Sequence, residues 1–294
     1  MDTVEPSRGK QAVTDENGRI TSCGDTVLGA DDFAGVSAIL EGVASLLESG
    51  ATHPTLELLF TTGEEHFCVG AKAFDAQRLQ SKTAYVMDLS GPVGDCAVAA
   101  PTLITFSAEV MGKAAHAGFA PEDGVHAIQV AAAAVANLPS GRWGDVTVNV
   151  GTISGGRATN IVPDSCTVTG EIRALCHQDA LDRLNEIHSE FVEQAQAVDA
   201  KLNFNHTIHI TGYRVDTDAP VAQRFKRACE AVGVAPRFTD TYGGSDCNIL
   251  SAHGIQGLVV ATAMNNCHAV SEYTTVEELC RAGRLAQALM EKQD

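Results

Sequence analysis

LELLFTTGEEH, residues 56–66, is a short, nearly continuous apolar run that ends on two adjacent acids, Glu64 and Glu65. An apolar run of this length suits a strand buried on both faces, as in a parallel sheet. Residues 84–87 (AYVM) and 257–261 (GLVVA) are further runs of the same kind. Ahead of the first, Val36, Ile39, Leu40, Val43, Leu46 and Leu47 share one face of a helix over residues 33–49. Strand and helix in alternation predict an α/β fold with a doubly wound layer.

The pattern changes near Pro101. Residues 103–111 (LITFSAEVM) and 146–152 (VTVNVGT) alternate like half-exposed strands, and an Ala-rich helix over 124–138 lies between them. A strand at 166–173, a helix at about 178–198 and a strand at 202–211 follow, so two helices over a four-stranded antiparallel sheet are expected. Residues 220–233 then return to a helix, 257–261 to a buried strand, and about 276–292 form a final helix. The chain therefore reads as a discontinuous α/β domain, 1–101 and 214–294, interrupted by an inserted α+β domain, 102–213.

With 37 acids against 20 basic residues the net charge is −17. Such a surface repels nucleic acid and anionic membranes, which argues against both as partners. Nine cysteines, odd in number and without a C-x-x-C pair, disfavour a zinc finger or a disulfide framework and suggest a reducing cytoplasm. No run of 18 apolar residues is present, and MDTVEPSRGK lacks the apolar region of a secretory signal.

Several short segments can carry chemistry: MDTV at the start, LGADDFAG (28–35), TTGEEH (61–66), MDLSGPVGD (87–95) and CHAVSE (267–272). Each alone has an ordinary explanation. Asp31 and Asp32 suit a helix start, Glu64 and Glu65 a solvated loop, Asp88 a turn, and His268 a satisfied core histidine. Together they fall at the carboxyl ends of strands and beside a helix start, where open α/β sheets bind ligands. Several carboxylates buried together need a positive charge to neutralise them. Carboxylates with a histidine suit zinc, manganese or cobalt, and two such ions can share a bridging carboxylate and activate a water.

Over essentially the whole chain, in order, these motifs resemble those of the M20 metallopeptidases, and among them the tripeptide-aminopeptidase (peptidase T)-like group. GADDFAG and TTGEEHFCVGAKAFD (61–75) carry the resemblance. So do GKAAHAGFAPEDGVHAI (112–128), GTISGGRATNIVPD (151–164), GEIRA (170–174), GGSDCN (243–248) and HAVSE (268–272). The resemblance implies a zinc-exopeptidase-like catalytic domain and a ferredoxin-like lid that mediates a homodimer. It implies two divalent metal ions, zinc first, with cobalt or manganese as alternatives. Asp31 would bridge both ions, Glu65 would bind one, Asp88 the other, and His268 would complete one coordination sphere. Glu64 would be the general base, and His116 would stabilise the oxyanion across the dimer interface. Asn160, Arg173 and the loop residues Gly243, Gly244 and Asn248 would hold a short peptide substrate.

The group's first metal motif is His-x-Asp, often within HMDTV. Here Met1-Asp2-Thr3-Val4 begins one residue later, so Asp2 is expected to be the partner of a histidine that would precede it. Phe33 stands where the group usually has Lys, and Ala174 where Ser is common. The expected activity is removal of N-terminal residues from short peptides in the cytoplasm. The alternatives are another M20-type amidohydrolase (deacylase, dipeptidase or carboxypeptidase) and a shortened, impaired chain that only binds metal or peptide.

Overall fold

In the computed structural model, which describes residues 3–292, the chain opens with a hairpin of β1 (Ala12–Thr14) and β2 (Arg19–Ser22). Its turn is closed by the Asp15 carboxylate, which accepts from the backbone N–H groups of Asn17 and Arg19 at 2.9 Å. Helix α1 (Ala30–Ser49) follows, burying Ala30, Ala34, Ala38 and Leu46, and stops at Gly50 in the left-handed region (φ 65°). After the short α2 (Val69–Ala73) come β3 (Thr83–Ser90) and β4 (Asp95–Ala100).

The inserted segment then runs through β5 (Thr102–Met111), α3 (Ala127–Asn137), β6 (Gly141–Trp143), β7 (Val146–Gly155), β8 (Ser165–Ala174), α4 (His177–Gln196) and β9 (Lys201–Ile210). At the junction back lies β10 (Tyr213–Arg214). Then follow α5 (Pro220–Ala231), β11 (Arg237–Asp240), α6 (Asp246–Ala252), β12 (Gln256–Met264), β13 (Tyr273–Thr275) and α7 (Val276–Met290). Two compact units result, one of residues 1–100 and 214–294, the other Pro101–Tyr213.

In the first unit β12 lies between β3, to which it is parallel, and β4, to which it is antiparallel; β11 pairs parallel with β4. The sheet is therefore mixed. β4 is buried along its whole length, and β12 along all but its first residue, as continuous apolar runs require when both faces are covered. Helices α1 and α7 approach closely because the contact is made of small residues. A Cβ at Gly42 would stand 2.9 Å from the Gln287 nitrogen, and one at Gly283 3.0 Å from Glu41 Cγ. A small sheet of β1, β2 and β13, which periodicity did not reveal, completes this unit.

Residues 56–61, expected as a strand, carry no ladder. Between them and β3, the edge of the sheet, lies a cavity of about 500 Å³ lined by Leu56, Leu58, Phe60, Tyr85, Val86 and Leu289 among others. No backbone hydrogen bond spans such a gap, so the apolar run stays apart from the sheet's edge.

The second unit is an antiparallel sheet in the order β6-β7-β8-β5-β9, one short strand more than the four expected. Helices α3 and α4 cover one face, and Phe106, Val168, Ile172, Ile187 and Phe191 fill its core. Among the described residues no helix is long and apolar enough to cross a membrane.

Candidate active site

Helix α1 starts irregularly. Asp31 has extended dihedrals (φ −83°, ψ 105°) inside the helix's nominal span, and the Asp31–Asp32 peptide is cis. Gly35 lets this first turn pass close to β3, since a Cβ there would overlap the Met87 carbonyl oxygen and the Asp32 carboxylate. The two aspartates thereby stand near Asp88, toward the end of β3.

Glu64 and Glu65 sit on a tight turn. Gly70 and Val69 donate backwards to the carbonyls of Thr62 and Gly63 at 2.9 and 3.0 Å, and Gly63, Phe67 and Cys68 all take positive φ. The two neighbours point apart. Glu65 Oε1 lies 3.0 Å from His268 Nε2, whereas Glu64 Oε1 accepts from the buried Cys68 thiol at 3.7 Å. Burial, then the charges of Glu65, Asp246 and Asp31, push the Glu64 carboxyl up to about 8.

His268 follows β12 with φ 64°, a conformation uncommon for any residue other than glycine but tolerated better by His than by most. Its Nε2 is also 3.0 Å from Asp31 Oδ2, and the ligand atoms of Asp31, Glu65 and His268 all lie within 4.8 Å of one another. The carboxylates are 17% and 18% exposed and the imidazole 53%, so the cluster is half-buried with one side open to solvent.

Beside it lies a second concentration of acid. Burial and then the Asp31 charge push Asp32 up to about 8. Burial, then Asp32, Glu64, Asp31 and Asp246, hold Asp88 well above the usual carboxylate range. One oxygen of Asp32 and one of Asp246 are buried without a hydrogen-bond partner. Orphaned carboxylate oxygens in this setting fit a divalent cation, whose charge would offset both burial and repulsion. The oxygen and imidazole donor set suits zinc, manganese or cobalt.

The other expected site residues fall elsewhere. His116 is exposed, packs at a tilt against Phe119 with ring centroids 4.3 Å apart, and accepts from the Gly118 N–H through Nδ1 at 3.1 Å. Asn160 is brought beside it, its carbonyl accepting from the Ala117 N–H at 3.0 Å next to the His116–Ile161 bridge. On β8, the Arg173 Nε donates to Glu171 Oε1 at 2.8 Å, so its guanidinium pairs with an acid on its own strand. Gly243 donates to the Thr241 hydroxyl at 3.1 Å, and Gly244 lies beside it in the same loop. Asn248 is buried, and its amide oxygen accepts from the Ser245 N–H at 3.1 Å in a capping box that starts α6. Asp2 lies outside the described residues.

Two carboxylates that the residue-by-residue reading did not select belong to the centre. Asp32 reads in the sequence as a helix-start acid. Asp246, inside GGSDCN, accepts from the Thr61 hydroxyl and raises the proton affinity of both Glu64 and Asp88. Its signal in the sequence is an acid in a glycine-rich loop, beside the glycines and Asn248 expected to line the substrate site.

Two family models match the chain: the M20-type peptidase dimerisation domain over residues 98–199, and peptidase family M28 over residues 2–118. The chain is 34% identical over 293 residues to the uncharacterized protein YqjE of Bacillus subtilis, covering 99% of this chain and 79% of that one. It is similar to the crystal structure of aminopeptidase PepT from Bacillus cereus, with 36% identity and a TM-score of 0.93 over 98% of this chain and 78% of that one. A tripeptidase from Staphylococcus aureus is also similar, with 29% identity and a TM-score of 0.95 over the same shares.

Proposed function

This chain belongs to the M20 family of peptidases, in its peptidase T-like group, and from that premise we propose that it is a metal-dependent aminopeptidase that removes the N-terminal residue of short peptides, tripeptides first. The observation that carries the proposal is the convergence of Asp31, Glu65 and His268 within 4.8 Å, with Glu64 buried alongside. Asp31, Glu65 and His268 would hold one divalent metal. Asp88, with Asp31 between the two, would hold a second. Bound there, the metals supply Lewis acidity that polarises the scissile carbonyl and lowers the pKa of water.

Glu64 is the general base. Burial, and then its acidic neighbours, raise its affinity for a proton, so it can accept one from the attacking water and return it to the departing amine. The Cys68 thiol donates to its carboxylate and helps to aim it. His116 and Asn160, held together on the inserted unit, would meet the oxyanion and the substrate backbone of a partner protomer in a homodimer. The match to a peptidase dimerisation domain over residues 98–199 supports that assembly. Nine free cysteines support a reducing, cytoplasmic setting.

The test is a panel of tripeptides, dipeptides and N-acyl amino acids, assayed with zinc, cobalt or manganese and again with chelator. Metal-dependent release of the N-terminal residue from tripeptides is expected. Hydrolysis of the N-acyl substrates without any tripeptide turnover would overturn it in favour of a deacylase.

A further inference from the structure

Helix α1 has no cap of its own, because the position before it is Gly29, which carries no side chain. Two N–H groups at this start, of Gly29 and Asp31, are nevertheless accepted by one side chain more than 240 positions away. Glu272 Oε2 accepts from the Gly29 N–H at 2.6 Å, and Glu272 Oε1 accepts from the Asp31 N–H at 2.8 Å. Glu272 is only 1% exposed. Its own backbone is tied into the loop after β12, donating to the Ala269 carbonyl at 2.9 Å, one residue beyond His268. One side chain thus links the segment bearing Asp31 to the segment bearing His268. The same segments meet a second time at the ligand atoms themselves, His268 Nε2 to Asp31 Oδ2 at 3.0 Å. Ala30, Ala34 and Met264 also pack with Leu28 and Cys267, joining the two segments through an apolar contact.

We propose that Glu272 is a positioning residue: its carboxylate clasps the Gly29–Asp31 turn to the His268 loop and thereby sets the distance between Asp31 and His268 at the cation centre. The inference rests on the metal site proposed above. The physics is local. A carboxylate taking two backbone N–H groups at a helix start makes charge-assisted bonds, strengthened by the helix dipole. Asp31 adopts extended dihedrals where a helix would otherwise begin, so nothing in α1's own ladder fixes the direction of its side chain. The bond from Glu272 to the Asp31 peptide nitrogen does. Without it the buried Gly29 N–H and the partly buried Asp31 N–H lose their acceptor, and the turn rotates to find another. Misplacing one ligand by a fraction of an ångström weakens the whole centre, and removing a group that orients a ligand typically lowers metal affinity ~10–100-fold.

The experiment compares the wild-type chain with Glu272→Gln, Glu272→Ala and a control, Leu46→Ala, which opens a cavity near the far end of the same helix. Each is stripped of metal and titrated with cobalt(II). The visible ligand-field bands and a competing chelator report geometry and affinity, and thermal melts of the metal-free proteins report stability. Glu272→Gln and Glu272→Ala should bind cobalt ~10–100-fold more weakly, with altered bands. Leu46→Ala should melt lower while keeping the wild-type affinity and spectrum. If the Glu272 variants match the wild type in affinity within twofold and in spectrum, the carboxylate serves stability alone and the inference falls. If neither Glu272 variant folds, it falls as well, since the carboxylate then holds the whole unit rather than the centre. A wild-type chain that binds no cobalt overturns the proposed function and this inference with it.

Discussion

Replacing Glu64 with Gln should move stability and catalysis in opposite directions. Burial and the charges of Glu65, Asp246 and Asp31 raise the Glu64 carboxyl from an ordinary 4.5 to about 8 in the folded, metal-free chain. The folded state therefore holds a proton that the unfolded chain has already lost between those values. Stability is full below about pH 4.5, falls as pH rises across the window, and levels off above about 8. A shift of 8 − 4.5 at ~1.4 kcal/mol per unit is on the order of 5 kcal/mol, an upper figure because Asp32 and Asp88 titrate in the same cluster. Against a typical domain stability of ~5–15 kcal/mol this is large. Glu64→Gln leaves a neutral group of nearly the same shape. Urea unfolding in chelator should show the variant matching the wild type near pH 4.5 and exceeding it by a few kcal/mol near pH 8. Its slope should be reduced rather than abolished, because Asp32 is also held at about 8. With saturating metal, the same variant should turn over peptide ~10²–10⁴-fold more slowly. A metal-free variant that is no more stable than the wild type at pH 8 would refute the reasoning about burial and repulsion, and one with normal turnover would refute the role of base.

His268→Asn preserves a residue that tolerates positive φ, so the metal-free melting temperature should hardly change while metal affinity falls at least ~10-fold, measured by competition with a chelator; an unchanged affinity removes His268 from the ligand set. Phe191→Ala, at a side chain with no exposed surface in the core of the inserted unit, should cost ~3–5 kcal/mol in urea unfolding, and a loss below ~1 kcal/mol would contradict that packing. Mixing His116→Ala with Glu64→Gln protein should recover activity that neither has alone, because a mixed dimer assembles one intact site; no recovery, with subunit exchange verified, would count against a shared site.

Apolar periodicity sufficed to locate α1, α4, α5, α7, β3 and β12 to within a few residues, because burial on one face or two is a local pattern in the chain. It also put Glu64, Glu65, Asp88 and His268 beyond apolar runs and Asp31 at a helix start, while the roles expected of them came from the family resemblance. It failed for residues 56–61, whose composition is that of a buried strand but which have no ladder: a strand exists only when a second chain segment lies within hydrogen-bond reach, and composition carries no information on that distance. It failed again in GGSDCN. There the buried Asn248 closes a capping box, while Asp246 faces Glu64 and Asp88 through contacts made only on folding. Residue types and their order thus came from the sequence by itself, together with the set of groups from which a cation centre can be built. Which of them share a charge, which ones bear the raised proton affinity, and how Glu272 reaches Gly29 across 243 positions were decided by tertiary structure alone. Burial and Coulomb coupling are sums over neighbours in space, and most of those neighbours are remote in the chain.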